Sequence, residues 1–282
     1  MTVKQETLNL LKKRSSIRKF KDKAIPEAIV QDLLECGVRG ASAGNLQPFS
    51  IIRLSSDSDK EFLTKDASMQ GFVAHAAENF LFCMDFNRLK KWAELSKAPF
   101  SANHSYNHFW VIFEDVIICA QNMALAADAY ELGSCYIGTT VECAEKLIDY
   151  CKLPYGVFPI VLLSVGYPDQ AITPSTKLTV KDILHESYYH DYRDEEVKAM
   201  YDKKYANCDR PLNQRMKDNI VKVAQKVNGE AYANECLAEM ERTNVVNYAQ
   251  YRFGLHYCAD EMLEGRDEFV ALLKKQGIDW IL

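Results

Sequence analysis

Turn-forming residues are scarce in this chain of 282 residues, which has 12 Gly and 8 Pro against typical shares of ~7% and ~5%. That scarcity argues against a turn-rich all-β architecture and favours long helices. Positive charge is also short. Lys and Arg total 34 against 39 Asp and Glu, a net charge of -5, so no basic stripe is offered to nucleic acid. No window approaches the ~20 apolar residues that span a bilayer. The amphipathic start, Met1 to Lys13, has no apolar core of signal-peptide length, and the expectation is a cytoplasmic protein with no membrane partner. Nine cysteines are present, an odd number without any C-x-x-C pair, which gives a zinc or iron–sulfur site no support. Cys83, Cys119, Cys135, Cys143 and Cys151 sit among apolar residues, where a thiol acts as a small hydrophobe. The G-x-x-x-x-G-K-[ST] loop and the G-x-G-x-x-G fingerprint are both missing. Neither an internal repeat nor a low-complexity tract is visible.

What is present is an ordinary globular balance, 48% hydrophobic and 26% charged. Leu8, Leu10 and Leu11 predict a short helix over Thr2 to Lys13. Ile25-Pro26-Glu27 opens a second one, with Ile29, Leu33, Leu34 and Val38 as its inward stripe and Gly37 or Gly40 as its stop. Phe49 to Leu54, Phe80 to Phe86 and Pro159 to Val165 read as strands, and Val73 to Asn79 as helical. Phe113 to Leu132 is apolar on nearly every face, the pattern of a central buried helix, with Gly133 as its stop. A further helix is expected over Val141 to Cys151. Strands interleaved with helices predict an α/β or α+β sandwich with helices on both sheet faces. Composition turns helical, charged and strand-poor from Arg193 to Trp280. The expected division is a core over 1–190 and a helical C-terminal extension over 191–282.

Several clusters carry possible chemistry. Arg14-Ser15-Ser16-Ile17-Arg18 sets two guanidiniums and two hydroxyls within five residues, a composition that suits a phosphate or a basic helix end near the negative dipole terminus. Ser42, Asn45 and Gln47 form an amide-and-hydroxyl loop before a strand, either a ligand edge or an ordinary connection. Tyr136-Ile137-Gly138-Thr139-Thr140 leads into a helix start, where unpaired N–H groups face a ligand acceptor or Thr139 or Thr140 serves as N-cap. His104 and His108 have an i, i+4 spacing but no third ligand nearby. An aromatic, polar substrate loop with Tyr106, Phe109 and Trp110 suits that segment better than a metal.

Taken together, these segments resemble the nitroreductase family of FMN-dependent enzymes. Arg14 to Arg18 matches its R-x-S-x-R motif, continued by Phe20 and Ile25-Pro26-Glu27. Ala41-Ser-Ala-Gly-Asn-Leu-Gln-Pro-Phe49 matches P-S-A-G-N-x-Q-P-W, with Ala for Pro and Phe for Trp. Gln70 to Glu78, Phe82 to Arg88, Tyr136-Ile-Gly138, Lys152-Leu-Pro-x-x-Val157 and Gly166-Tyr-Pro168 are similar to the larger NADPH-type nitroreductase and flavin-reductase subgroup. The likeness covers residues 1 to about 190.

The resemblance implies an α+β, three-layer sandwich with a central mixed sheet covered by helices, and a homodimer with FMN at the subunit interface. By residue, it implies that Arg14, Ser15, Ser16 and Arg18 hold the phosphate and ribityl end. Ser42, Asn45 and Gln47 border the flavin, Gln70 takes the ring edge, and Tyr136, Ile137, Gly138 and Thr139 face the N5 region. Lys177 stands where the subgroup has an Arg for the phosphate. Two departures stand out. The K-P-R pair is replaced by Ser175-Thr176-Lys177, leaving one cation or shifting the contact to Ser175 Oγ, and the C-terminal region carries extra helical sequence around Lys217 to Glu241. Arg210 and Arg215 are candidates for a nicotinamide 2′-phosphate. The implied activity is ping-pong hydride transfer through flavin N5, from NADPH or NADH to a nitroaromatic, quinone or flavin acceptor, with no catalytic acid or nucleophile. The alternative is a non-catalytic flavin- or nucleotide-binding protein on the same scaffold.

Overall fold

The computed structural model describes residues 3–262 and 264–280. Two compact units form, one from residues 1–174 with 267–282 and the other from 175–266.

The first unit is built on four antiparallel strands, β1 (Phe49–Arg53), β2 (Glu78–Asp85), β3 (Gly133–Ile137) and β4 (Val157–Gly166), in the order β1-β2-β4-β3. Every residue of central β2 and β4 is buried, which explains their near-continuous apolar sequence. Alternation divides them between two layers. Phe80, Phe82 and Met84 face one cluster with Phe158 and Leu163, while Leu81, Cys83 and Leu162 face the other. A register shift between Phe82 and Cys83 lies opposite Pro159, where a missing N–H is tolerated at a bulge. Parallel pairing, expected of a mixed sheet, is confined among the described residues to one bridge, Ser16 with Ser134.

Helices α1 (Val3–Lys13), α2 (Glu27–Val38), α3 (Asp57–Glu61), α4 (Phe86–Leu95), α5 (Tyr106–Ala129) and α6 (Ala144–Cys151) surround the sheet. α5 packs on all four strands and on α2, and Leu147 of α6 joins the layer on the opposite face. At 24 residues, α5 is long and apolar enough to cross a membrane by length and composition, which corrects the expectation that no stretch reaches that mark. Its buried Ile112, Val116, Ala120, Met123 and Ala127 make it the core helix here. It also begins at Tyr106 rather than Phe113, because the Ser105 hydroxyl accepts the His108 N–H as an N-cap. The helix expected over Val73 to Asn79 is a short 3₁₀ turn, Gly71–His75, with β2 already running from Glu78. β3 was not expected, and Gly133 opens it instead of closing α5.

The second unit holds α7 (Asp194–Lys204), β5 (Arg210–Pro211), α8 (Gln214–Asn228), α9 (Glu230–Thr243), β6 (Val245–Val246) and α10 (Tyr248–Tyr251). Its small core gathers Ile220, Met240 and Val246. α11 (Arg266–Lys275) returns the chain to the first unit, where Leu273 and Ile278 join the main core. Composition places the boundary near 190 and packing places it at 174. The intervening segment is mostly irregular and exposed, so it carries little patterning to mark the change.

Candidate functional site

α1 ends at Lys13, and Arg14 to Phe20 continues as an extended strap. The Ile17 N–H donates to Ser134 O at 2.9 Å and the Lys21 N–H to Tyr167 O at 2.8 Å. Gln170 Oε1 accepts from the N–H groups of both Arg18 and Lys19, at 3.0 and 2.9 Å. Ile17 and Phe20 are buried anchors against Ala76 and Phe72. Close approach depends on two glycines. A Cβ at Gly133 would fall inside the Ile17 side chain, and one at Gly166 would lie 2.8 Å from Phe20 Cδ1.

In extended backbone, residues two apart share a side, so Arg14, Ser16 and Arg18 turn away from Ile17 together. Their convergence on β3 is visible at Cys135. Burial pushes that thiol pKa up, and the Arg18 and Arg14 charges and a Ser16 hydroxyl contact oppose the rise. The Arg14 guanidinium lies 5.9 Å from the centre of the Tyr136 ring, and Arg14 Nε is buried without a hydrogen-bond partner. Ser15 Oγ instead donates back to Lys13 O.

The loop Ser42 to Gln47 is exposed and bent. Asn45 and Gln47 have φ of 54° and 49° beside Gly44 at 57°, and such conformations are costly for non-glycine residues. Side chains hold it. Asp115, buried on α5, accepts the Ala43 N–H at 3.0 and 3.2 Å through its two oxygens, and desolvation pushes its pKa up. Arg88 on α4 donates to Gln47 O and Phe49 O at 2.5 and 2.7 Å. The Gln47 side chain donates to Val38 O and its N–H to Ser42 Oγ, so Gln47 braces the loop. Asn45 is exposed at its tip.

Beyond β3, Gly138 opens a 3₁₀ turn, Gly138–Cys143, that has no side-chain cap, leaving initial N–H groups for an acceptor. Thr140 is a strut rather than a cap, donating to Ile137 O at 2.6 Å and accepting the Leu162 N–H at 3.1 Å. Thr139 is half-buried beside it. The Tyr136 hydroxyl donates to Gln121 Oε1 on α5 at 3.3 Å. Gln70 is exposed, while its neighbours Met69 and Val73 pack into the cluster of Ile137.

Strap, β3 and its following turn therefore lie together. Ser175 and Lys177 are exposed residues of the second unit. In that unit the Arg210 guanidinium covers the Tyr251 ring at 3.4 Å, and Arg215 is exposed on α8. His108 Nδ1 meets Ser105 Oγ, and His104 pairs with Asp279. Asp115, Arg88, Gln121 and Gln170 escaped the sequence analysis. Asp115 alone left a signal, as a carboxylate inside the apolar run of α5.

The comparisons with known proteins agree with this geometry. The model of the nitroreductase family matches residues 11–167. An NADPH-dependent oxidoreductase of Staphylococcus saprophyticus is 30% identical over 199 residues, 70% of this chain and 79% of the relative. A crystal structure of a Bacteroides fragilis protein assigned as an oxidoreductase superposes with a TM-score of 0.72 at 26% identity, covering 96% of this chain and 99% of that one. The NADPH:FMN oxidoreductase of Vibrio harveyi, solved with NAD+, gives 0.63 at 27% identity, covering 70% and 83%. With more than half of its length matched by the family model, the chain belongs to the nitroreductase family and is an oxidoreductase.

Proposed function

We propose that the chain is an FMN-dependent NAD(P)H oxidoreductase of nitroreductase type, acting as a cytoplasmic homodimer. The observation that carries this is the strap, where two guanidiniums and a hydroxyl converge on β3, with the Arg14 guanidinium beside the Tyr136 ring. That donor set fits a phosphate, since guanidinium forms charge-assisted, bidentate bonds to its oxygens.

When bound, FMN would supply the redox chemistry, hydride transfer between NAD(P)H and a nitroaromatic, quinone or flavin acceptor. Arg14, Ser16 and Arg18 would hold its phosphate and ribityl end. Ser42 and Asn45 would border the ring, Gln70 would take its edge, and Gly138 and Thr139 would offer their N–H groups to it. These donors orient the ring and offset negative charge without any acid or nucleophile. The Staphylococcus relative and the Vibrio harveyi neighbour support NADPH as the donor. Arg210 and Arg215 are the candidates for its 2′-phosphate. Leu8 and Leu11 of α1, Val38 of α2 and Ile118 of α5 are each 38–44% exposed, an apolar face that supports the homodimer.

The purified protein should be yellow and bleach anaerobically with NADPH, then regain colour on adding a nitroaromatic or quinone. Replacing Arg14 and Arg18 together by Ala should give largely colourless protein. Normal flavin occupancy in that variant would sink the phosphate assignment.

A further inference from the structure

Among the described residues, five buried side-chain atoms lack a hydrogen-bond partner: Arg14 Nε, Asp128 Oδ2, Ser134 Oγ, Asp260 Oδ1 and Trp280 Nε1. The first three belong to elements that meet behind the strap. Ser134 is the β3 residue bridged to Ser16, and its carbonyl takes the Ile17 N–H. Tyr136, two residues along and on the same face of β3, lies under the Arg14 guanidinium. Asp128 stands in the last turns of α5, and Arg14 is the charge that acts on its carboxyl. A guanidinium donor, a carboxylate acceptor and a hydroxyl on the strap, α5 and β3 thus each carry a buried atom without a partner, and α5 packs on β3.

Buried polar groups are seldom left so, because each unpaired atom carries its desolvation cost. A guanidinium cannot shed its proton, so its Nε–H must donate to something. The Nε edge and the terminal nitrogens point different ways on a rigid fork. An acceptor on the inner edge therefore fixes where the outer nitrogens point. We propose that Asp128 is a positioning residue for Arg14, taking the Nε edge through water held by Ser134 Oγ, so that the outer nitrogens are presented to the FMN phosphate. This rests on the phosphate assignment made above.

Asp128 is a poor choice on stability grounds. Burial pushes its carboxyl pKa up to about 6 despite the opposing pull of Arg14, so the native state resists the charge it carries at neutral pH. An isosteric amide avoids that cost. The two roles therefore separate cleanly under substitution.

The test is equilibrium dialysis of the purified full-length protein against FMN and against riboflavin, which lacks the phosphate, with a melting curve for each variant. Asp128→Asn should weaken FMN about tenfold, the loss of one charge-assisted contact's orientation, leave riboflavin unchanged and melt no lower than the wild type. Asp128→Glu should recover most of the FMN affinity. An Asp128→Asn protein that holds FMN at least as tightly as wild type overturns the proposal. Equal weakening of both flavins without recovery in Asp128→Glu also overturns it. The Arg14→Ala/Arg18→Ala protein separates the two ideas: loss of FMN with riboflavin kept upholds the phosphate assignment whatever Asp128 does, and FMN kept there removes both.

Discussion

The strap and the amide loop, the two segments proposed to meet the flavin, are held in opposite ways. Backbone fixes the strap: hydrogen bonds to Ser134 and Tyr167, buried Ile17 and Phe20, and glycine clearances at positions 133 and 166. Arg14, Ser16 and Arg18 are not among these anchors, and Arg14 and Ser16 instead meet Tyr136 and Cys135 of β3. The loop has unfavourable backbone at Asn45 and Gln47 and is fixed from outside by Asp115 and Arg88. A phosphate grip wants rigid spacing between charges, and β-type pairing provides it. A flavin edge wants close backbone approach, which requires bent conformations held here by side chains, Asp115 and Arg88 from afar and Ser42 and Gln47 within the loop.

The largest effect should come from Gly133→Ala. Its new methyl has no room beside Ile17, and overpacking of this kind costs about 1–3 kcal/mol or more. Melting should drop by several degrees, and FMN affinity should fall while riboflavin affinity changes less. A wild-type melting curve would mean the strap is not held by close packing on β3.

Asp115→Ala should come next. It leaves the Ala43 N–H without its buried acceptor, a loss of about 1–3 kcal/mol. Because the loop is proposed to meet the ring, FMN and riboflavin should weaken together. Asp115→Asn keeps one acceptor oxygen and should be milder. A variant that lost only FMN would erase the distinction between the two segments.

Arg88→Lys removes the guanidinium whose Nη2 donates to both Gln47 O and Phe49 O. About 1 kcal/mol is expected, read as faster proteolysis of the loop with the strap intact.

The smallest effect is in pH. Burial raises the Asp115 pKa above its ordinary 3.8, so the folded state keeps that proton to higher pH than the unfolded chain does. Its contribution to stability is therefore full below 3.8 and declines as pH rises through the folded value. Melting curves of wild type and Asp115→Asn should differ in slope across that window, with the amide flatter. Parallel slopes would show that the carboxylate is not desolvated there.

The strap was legible because its chemistry has the two-residue period of extended chain, and Arg14, Ser16 and Arg18 hold that period in sequence. α2, β1, β2 and β4 were legible from apolar periodicity for the same kind of reason. β3 was not, since Gly133, Ser134 and Cys135 carry little strand preference, and only pairing with β4 and the strap makes them a strand. The early start of α5 was hidden because its first turns, Tyr106 to Trp110, are partly polar, and a single Ser105 cap decides them. Among the loop's supports, Asp115 and Arg88 lie 72 and 41 residues from the atoms they hold, a distance no local pattern reports.

The sequence by itself determined that a helix-rich chain with interleaved strands carries Arg14, Ser16 and Arg18 at two-residue spacing and the ordered motifs of the nitroreductase family. These are properties of composition and local period, which a chain expresses wherever it folds. Only the tertiary structure decided that Gly133 is there to admit Ile17, that Asp115 holds the loop, and that Arg14, Asp128 and Ser134 each bury an unpaired polar atom. Those facts depend on which distant atoms arrive at the same place, and burial then makes each unmade bond count.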